Sequence, residues 1–114
     1  MKYLTSLHEL EKITAGDKAL LKELLTIFIQ EASVQIEKMQ NSLDTGNIQE
    51  LKHVAHKVKS SVTLIGMNTY RAIAEKIEME GEKDPGKTRQ EAIGLISAYT
   101  RALAELKIKL EEIS

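Results

Sequence analysis

The spacing of the apolar residues is the feature that most limits what this chain can fold into. Between short polar breaks, apolar side chains recur every three or four residues, as on one face of a helix, and no strand pattern competes. The breaks contain five of the six glycines and the single proline, namely Gly16, Gly46, Gly66, Gly81, Gly86 and Pro85. The pattern therefore predicts an all-α protein.

A short helix and a long helical segment make up the first part of the chain. Ser6 and Glu9 have the spacing of a capping box, which predicts a first helix that ends near residues 14–16. Apolar side chains then recur on one face throughout residues 17–46. We expect this segment to be one long helix, or two helices with a break near residues 32–33.

Three further helices are predicted downstream. Asn47 has the position of an N-cap, and the helix that follows it should stop at Gly66. We expect Asn68 to cap the fourth helix, and Asp84 with Pro85 to begin the last. Because the apolar stripes are one-sided and the connections short, the predicted fold is an antiparallel up-down-up-down four-helix bundle with a short additional N-terminal helix.

The composition fits a single domain over residues 1–114 and excludes several classes of protein. With 42% hydrophobic and 29% charged residues the chain can build a core, and its formal net charge of -1 argues against a nucleic-acid or anionic-membrane binder. The absence of cysteine excludes disulfides and zinc–thiolate sites. We see no signal peptide and no run approaching the roughly 20 apolar residues of a membrane span, so a cytoplasmic monomer is expected.

One glycine and one possible helix cap lead to two smaller predictions. Gly94 interrupts the apolar stripe of the last helix, and its plainest interpretation is a close contact with a neighbouring helix. Met1 and the early capping-box spacing favour a separate protein over a segment of a longer chain.

The third predicted helix carries a histidine on its outer face. At about 100° per residue from Leu51, one arc of roughly 100° forms the core stripe. That stripe consists of Leu51, Val54, Ala55, Val58, Val62 and Ile65. His56 lies about 140° from Leu51 and should point outward, with His53 displaced further round. The outward face that includes His56 also presents Lys52, Lys59, Ser60 and Thr63.

This outward face has the residue types that covalent phosphoryl chemistry needs. A neutral imidazole is a competent nucleophile, and a histidine can hold a covalent intermediate. If the group transferred is phosphoryl, the ammonium of Lys59 offsets its negative charge. Small side chains beside the ring allow the active site of another protein to approach, so His56 needs no deep pocket of its own.

Metal, nucleic-acid and nucleotide binding are weaker interpretations of the same residues. Glu50 and His53 have the Glu-x-x-His spacing of di-iron bundles, but such sites need a second motif, and His53 does not face the core, so no metal site is expected. The lysines near His56 form a small patch without an aromatic platform, which does not favour nucleic-acid binding. No ATP-binding signature is present. A lone surface histidine is usually only solvated, as we expect for His8.

The stretch AHKVKSSVTLIGM, residues 55–67, resembles the signature of histidine-containing phosphotransfer (HPt) domains. That signature reads Ala-His-x-hydrophobic-Lys-Gly-Ser-Ala, with a glycine about ten residues after the histidine. The matching residues are Ala55, His56, Val58, Lys59, Ser61 and Gly66. The segments DKALLKELLTIFIQEA, LDTGNIQELKHVAHK and IAEKIEMEG are similar to the family's helices and joins, so the resemblance covers nearly the whole chain.

The resemblance implies a four-helix bundle and a role in phosphorelay signalling. It implies that His56 accepts a phosphoryl group from the phospho-aspartate of a response-regulator receiver domain and passes it to another, and that Lys59 stabilises the phosphate. Mg²⁺ and most catalytic groups would belong to the receiver. The chain would then be a phosphoryl carrier without kinase activity of its own. Its partners would be receiver domains, with a hybrid sensor histidine kinase as a further candidate.

One departure from the family signature concerns the position after Lys59, where Ser60 replaces the usual glycine. Its hydroxymethyl group could be tolerated, could bond the imidazole or phosphate, or could narrow the set of receivers that dock. Together with Lys52 and Thr63, Ser60 is a candidate partner-binding residue. Ser61 lies beside the core and should serve packing. The alternative function is a non-catalytic helical adaptor that binds a receiver without transfer.

Overall fold

The structure is a computed structural model that describes residues 3–113. Over these residues it contains helices and no strand, which confirms the all-α prediction. The helices are α1 (His8–Thr14), α2 (Lys18–Thr45), α3 (Ile48–Leu64), α4 (Asn68–Glu80) and α5 (Pro85–Ile113). None of the helices within this range combines the length and the apolar character that a membrane crossing requires.

The four longer helices form the predicted bundle. Each of them packs against its neighbour in the chain, and α5 returns to pack against α2, so that the order around the bundle is α2, α3, α4, α5. Helix α3 and helix α5 therefore lie diagonally opposite each other. The short helix α1 packs on α2 and places Leu10, 2% exposed, in the core.

Helix α2 is continuous, so the alternative of a break near residues 32–33 is wrong. The Ser33 hydroxyl donates to the Ile29 carbonyl oxygen at 3.0 Å and is accommodated within the helix. The helix begins where the Asp17 carboxylate accepts from the Leu20 N–H at 3.0 Å, and it ends at Gly46, whose φ is +67°. The local caps at Asp17 and Gly46 thus define both ends of α2.

The predicted caps of the other helices are correct where the cap depends on local sequence alone. The Asn47 side chain accepts from the Glu50 N–H at 3.0 Å, and Asp84 accepts from the Lys87 N–H at 3.2 Å. By contrast, Met67 and not Asn68 precedes α4. The reason is that the buried Met67, 3% exposed, turns inward directly after α3 ends, which makes Asn68 the first helical residue.

The predicted capping box of Ser6 and Glu9 is wrong. The residue before α1 is Leu7, without a side-chain cap, and the Ser6 hydroxyl instead accepts from the His8 N–H at 3.2 Å. The Ser6 N–H donates to the carbonyl oxygen of Ile65 at 2.8 Å, across the bundle. This long-range hydrogen bond fixes the chain direction before α1 begins.

The segment before α1 is anchored on α5 as well. The Glu105 carboxylate accepts from the N–H groups of Leu4 and Thr5 at 3.0 and 3.1 Å, and Lys109 donates to the Thr5 carbonyl oxygen at 2.8 Å. Although partial burial opposes the effect, these N–H groups hold the pKa of Glu105 below its ordinary value. The N-terminal segment, residues 4–9, is therefore joined to the rest of the bundle by hydrogen bonds.

Three polar side chains form a chain of hydrogen bonds among the apolar side chains of the core. Tyr99 is fully buried, its hydroxyl donates to Gln35 at 2.8 Å, and the Gln35 amide donates to Ser61 at 3.1 Å. These hydrogen bonds join α5, α2 and α3. Burial raises the pKa of the Tyr99 hydroxyl. Ser61 lies beside the core, as predicted, and also holds this hydrogen bond.

The expected close contact at Gly94 is wrong. Gly94 is exposed on α5, and a Cβ atom built there would meet nothing within 4 Å. The glycine therefore has no packing role in the described structure.

Candidate functional site

The site is built on α3, whose inner face is anchored in the core. The inner face consists of Leu51, Val54, Ala55, Val58 and Val62, each at most 2% exposed. Because these side chains fix the rotation of the helix, His56 is turned away from the core, and its side chain is 62% exposed. The structure thus places His56 where the helical periodicity predicts it.

Glu78 of α4 links the two residues on which the sequence interpretation depends. Its Oε2 atom lies 2.5 Å from Nδ1 of His56, and its Oε1 atom accepts from Nζ of Lys59 at 2.9 Å. The hydrogen bond from Lys59, supported by that from His56, holds the pKa of Glu78 below its ordinary value. The three side chains form a connected cluster, with the carboxylate and the ammonium at its partly buried base.

The ionised Glu78 determines which nitrogen of His56 can react. A carboxylate only accepts hydrogen bonds, so Nδ1 of His56 must carry the proton that it donates. In the neutral imidazole the lone pair then lies on Nε2, on a ring that remains largely open to solvent. The geometry prepares Nε2 as a nucleophile or as an acceptor.

The lysine one turn before His56 is also paired with an acid. Nζ of Lys52 lies 2.7 Å from Oε2 of Glu82, just beyond the end of α4, and Gln49 donates to the same carboxylate at 3.1 Å. Lys52, with Gln49, lowers the pKa of Glu82. Two of the three lysines near His56, Lys52 and Lys59, are therefore paired with acids of α4 and of the turn after it.

Ser60, about one turn along α3 from His56, and Thr63, about two turns along, line an open cleft. The cleft has a volume of about 580 Å³ and reaches from α3 to the start of α4 and to α1. Ser60 is exposed, whereas Thr63 is half-buried, and the Thr63 hydroxyl donates to the Lys59 carbonyl oxygen at 2.8 Å. Two of the three predicted partner-binding residues, Ser60 and Thr63, thus lie on the wall of one cleft, whereas Lys52 does not line it.

The other two histidines lie apart from this cluster. His53 is exposed and lines a different groove, between α2 and α3, and His8 is exposed on α1. Within residues 3–113, no three histidine or acidic side chains come close enough together to hold a metal ion. Glu50 and His53 remain without the further ligands that a di-iron site would need.

The acids Glu78 and Glu82 are the functional residues that sequence reasoning missed. Both fall near the end of the fourth predicted helix, in the segment IEMEGE, where three acids alternate with other residues. A signal was available, because the antiparallel helices α3 and α4 are joined by a short turn, so the end of one must lie beside the start of the other. Which of the acids meets His56 depends on the rotation of α4.

The fold and this cluster define a class of protein, namely helical-bundle domains that display an exposed histidine on an outer helix face. In this chain the histidine is oriented by a carboxylate and accompanied by an ammonium. The side chain of His56 is largely exposed, and the open cleft lies further along α3.

Comparison with known families agrees with that class. The family model of the Hpt domain matches residues 23–113, and the chain belongs to this family. The match supports histidine phosphotransfer in phosphorelays in general, where Hpt domains interact with receiver domains. Comparison with curated proteins and with solved structures gives no match.

Proposed function

We propose that His56 is the phosphoacceptor of this Hpt domain, and that it takes a phosphoryl group from the phospho-aspartate of one receiver domain and passes it to another. The observation that supports the proposal most is the cluster of His56, Glu78 and Lys59. It presents an oriented imidazole at an exposed position, inside the part of the chain that the Hpt family covers.

In the forward step, Nε2 of His56 attacks the phosphorus of the acyl phosphate. A P–N bond forms while the bond from phosphorus to the aspartate oxygen breaks, and the receiver's aspartate leaves as a carboxylate. The imidazole becomes a cation, and its Nδ1 proton stays in the hydrogen bond to Glu78, 2.5 Å away. The carboxylate thereby stabilises the charge that develops on the ring. The reverse step, with a second receiver, returns the ring to its neutral state.

Lys59 stabilises the transferred group. Its ammonium lies at the base of the cluster, 2.9 Å from Glu78, and its side chain is 22% exposed. A phosphoryl group on Nε2 brings about two negative charges to this corner of the molecule. Lys59 is the cation of the cluster that can turn toward those oxygens, while Glu78 keeps the ring in place.

The receiver supplies the rest of the catalytic machinery in this proposal. We expect Mg²⁺ on the receiver, where it neutralises the phosphoryl oxygens, and no intrinsic cofactor on this chain. Ser60 and Thr63 offer small polar side chains to the docked receiver beside the ring. Lys52 keeps α3 against the end of α4 through Glu82, and its exposed edge can contact the receiver.

The test is to incubate the protein with a phosphorylated receiver domain and to measure acid-labile phosphate on each chain. We expect transfer to the wild type and none to His56→Gln. The matched control is His53→Gln, at another exposed histidine of the same helix, which should accept phosphate normally. Undiminished transfer to His56→Gln would overturn the assignment. Stable receiver binding without phosphate on the wild type would favour the helical adaptor.

A further inference from the structure

The N-terminal segment outside the family match forms one wall of the cleft beside His56. The Hpt match begins at residue 23, whereas Ser6, His8 and Glu9 line the cleft together with α3 and α4. The wall on α3 carries Lys59 and Ser60, which belong to the phosphoacceptor cluster or adjoin it. Since Ser60 lies one helical turn beyond His56, the cleft opens about 6 Å along the helix from the imidazole.

The segment that forms this wall is held in a defined position. The Ser6 N–H bonds the Ile65 carbonyl oxygen at the end of α3, and Glu105 and Lys109 hold Thr5 from α5. Gly66 makes room for Ser6, because a Cβ on Gly66 would lie 2.9 Å from the Ser6 Cβ. The N-terminal wall of the cleft is therefore held in place by hydrogen bonds to α5 and to the end of α3.

The charged side chains that line the cleft are the cations Lys59 and Arg71 and one acid, Glu9, and Lys59 is paired with Glu78. Arg71 projects from the first turns of α4, and its ion pair with Glu75 is long at 4.0 Å, with both side chains about half exposed. Such a pair leaves the guanidinium available to another acid. The acid of the cleft, Glu9, has a cation of its own, Lys12 at 3.7 Å. His8 adds an imidazole that can donate a hydrogen bond.

We propose that this cleft is a specificity site that receives an acidic segment of the receiver domain while the phosphoryl group lies opposite His56. The inference rests on the proposed phosphotransfer function and deepens it. Arg71 and His8 contact the acidic segment from two sides, and Ser60 sets the depth of the cleft between them. The N-terminal segment thus selects among receivers, while the cluster of His56, Glu78 and Lys59 performs the same chemistry with each.

The experiment measures the rate of phosphoryl transfer as a function of receiver concentration. The variants Arg71→Glu and His8→Glu place a negative charge on the two walls of the cleft. Their controls, Arg101→Glu and Thr100→Glu, make the same charge changes at exposed positions of α5, diagonally across the bundle from α3. Thermal midpoints of all four variants establish that they are folded.

We expect both cleft variants to raise the receiver concentration at half-maximal rate several-fold at low salt, and the controls to leave it unchanged. Added salt should shrink the difference, because it screens the introduced repulsion. The proposal would be overturned if phosphate still reached His56 while the cleft variants behaved like the controls. An effect of Arg71→Glu without any effect of His8→Glu would overturn the role of the N-terminal segment. Absence of phosphate on wild-type His56 with every receiver would instead contradict the proposed function.

Discussion

At the scale of single residues, Glu78 gives His56 its chemical character. An exposed histidine on a helix is ordinarily a solvated side chain that exchanges its proton between two nitrogens. Here one carboxylate holds the Nδ1 proton of His56 and also binds Lys59, so that the imidazole and the ammonium are held by the same group. The consequence is a site that is assembled before any partner arrives, which reduces the ordering required on docking.

Replacement of Lys59 tests the role of the cation. We expect Lys59→Ala to slow transfer or to shorten the lifetime of the phosphohistidine by roughly tenfold or more, because a charge-assisted contact to the phosphate of about 1.5–3 kcal/mol is lost. The matched control is Lys57→Ala, an exposed lysine on the same helix that lies outside the cluster. A collapse of the thermal midpoint in Lys59→Ala would show that Lys59 is mainly structural.

Ser60 is the residue at which this chain departs from the usual family glycine. We expect Ser60→Gly to speed transfer several-fold from receivers that are poor partners of the wild type, because the hydroxymethyl group on the wall of the cleft is removed. The change should lower the helical stability of α3 by only about 0.5 kcal/mol. Rates measured with a panel of receivers provide the test, and equal rates for both proteins throughout would show that Ser60 does not restrict docking.

At the scale of helices, local sequence patterns predicted most of the architecture correctly. Apolar periodicity located the helices, and the caps at Asp17, Asn47 and Asp84 lie where short-range side-chain chemistry puts them. The error at Ser6 arose because a hydrogen bond to Ile65, distant in sequence, redirects the chain. Sequence reasoning is therefore sound where a cap is local and fails where tertiary contacts fix the backbone first.

Gly94 and Gly66 lie in different environments, and their replacement provides a prediction at the scale of helices. Gly94 is exposed inside α5 with open space around it, so Gly94→Ala should stabilise the protein by about 0.5–1 kcal/mol. Gly66 has a φ of +80° and adjoins Ser6, so Gly66→Ala should destabilise it by at least about 1 kcal/mol. Denaturant unfolding of both variants measures the difference, and a destabilised Gly94→Ala would reveal a packing role that the structure does not show.

At the scale of the whole molecule, ionised carboxylates connect the parts of the bundle. Glu78 and Glu82 tie α3 to the region at the end of α4, and Glu105 ties the N-terminal segment to α5. The sequence supplied the helices and the outward position of His56, but these links depend on how the helices are rotated against one another. That acids near the end of α4 lie close to α3 could be inferred from the sequence, but which acids form these links could be recognised only once the bundle was assembled.

The pH dependence of stability follows from the same carboxylates. The pKa values of Glu78, Glu82 and Glu105 are lowered in the folded protein, so the unfolded chain binds more protons as the pH falls. Their stabilising contribution is present above the ordinary glutamate pKa of 4.5 and is lost as the pH falls through the lowered values. We expect the thermal midpoint to fall steeply below about pH 4.5.

A variant at Glu78 separates its contribution from the general effect of acid. Glu78→Gln should be less stable than the wild type at pH 7, and the difference should shrink as the pH is lowered, because the wild-type carboxylate then becomes protonated. Glu37→Gln, at an exposed position of α2, serves as the control. A difference between Glu78→Gln and the wild type that is constant with pH would contradict the contribution assigned to the ionised carboxylate.

The most direct test of this mechanism is to locate the phosphoryl group on the phosphorylated protein by nuclear magnetic resonance of the labelled imidazole rings. The hydrogen bond from Nδ1 to Glu78 leaves Nε2 as the nucleophile. We predict a single phosphohistidine, at His56, with phosphorus bonded to Nε2 and the Nδ1 proton retained. Phosphorus on Nδ1 of His56, or on His53 or His8, would contradict the mechanism.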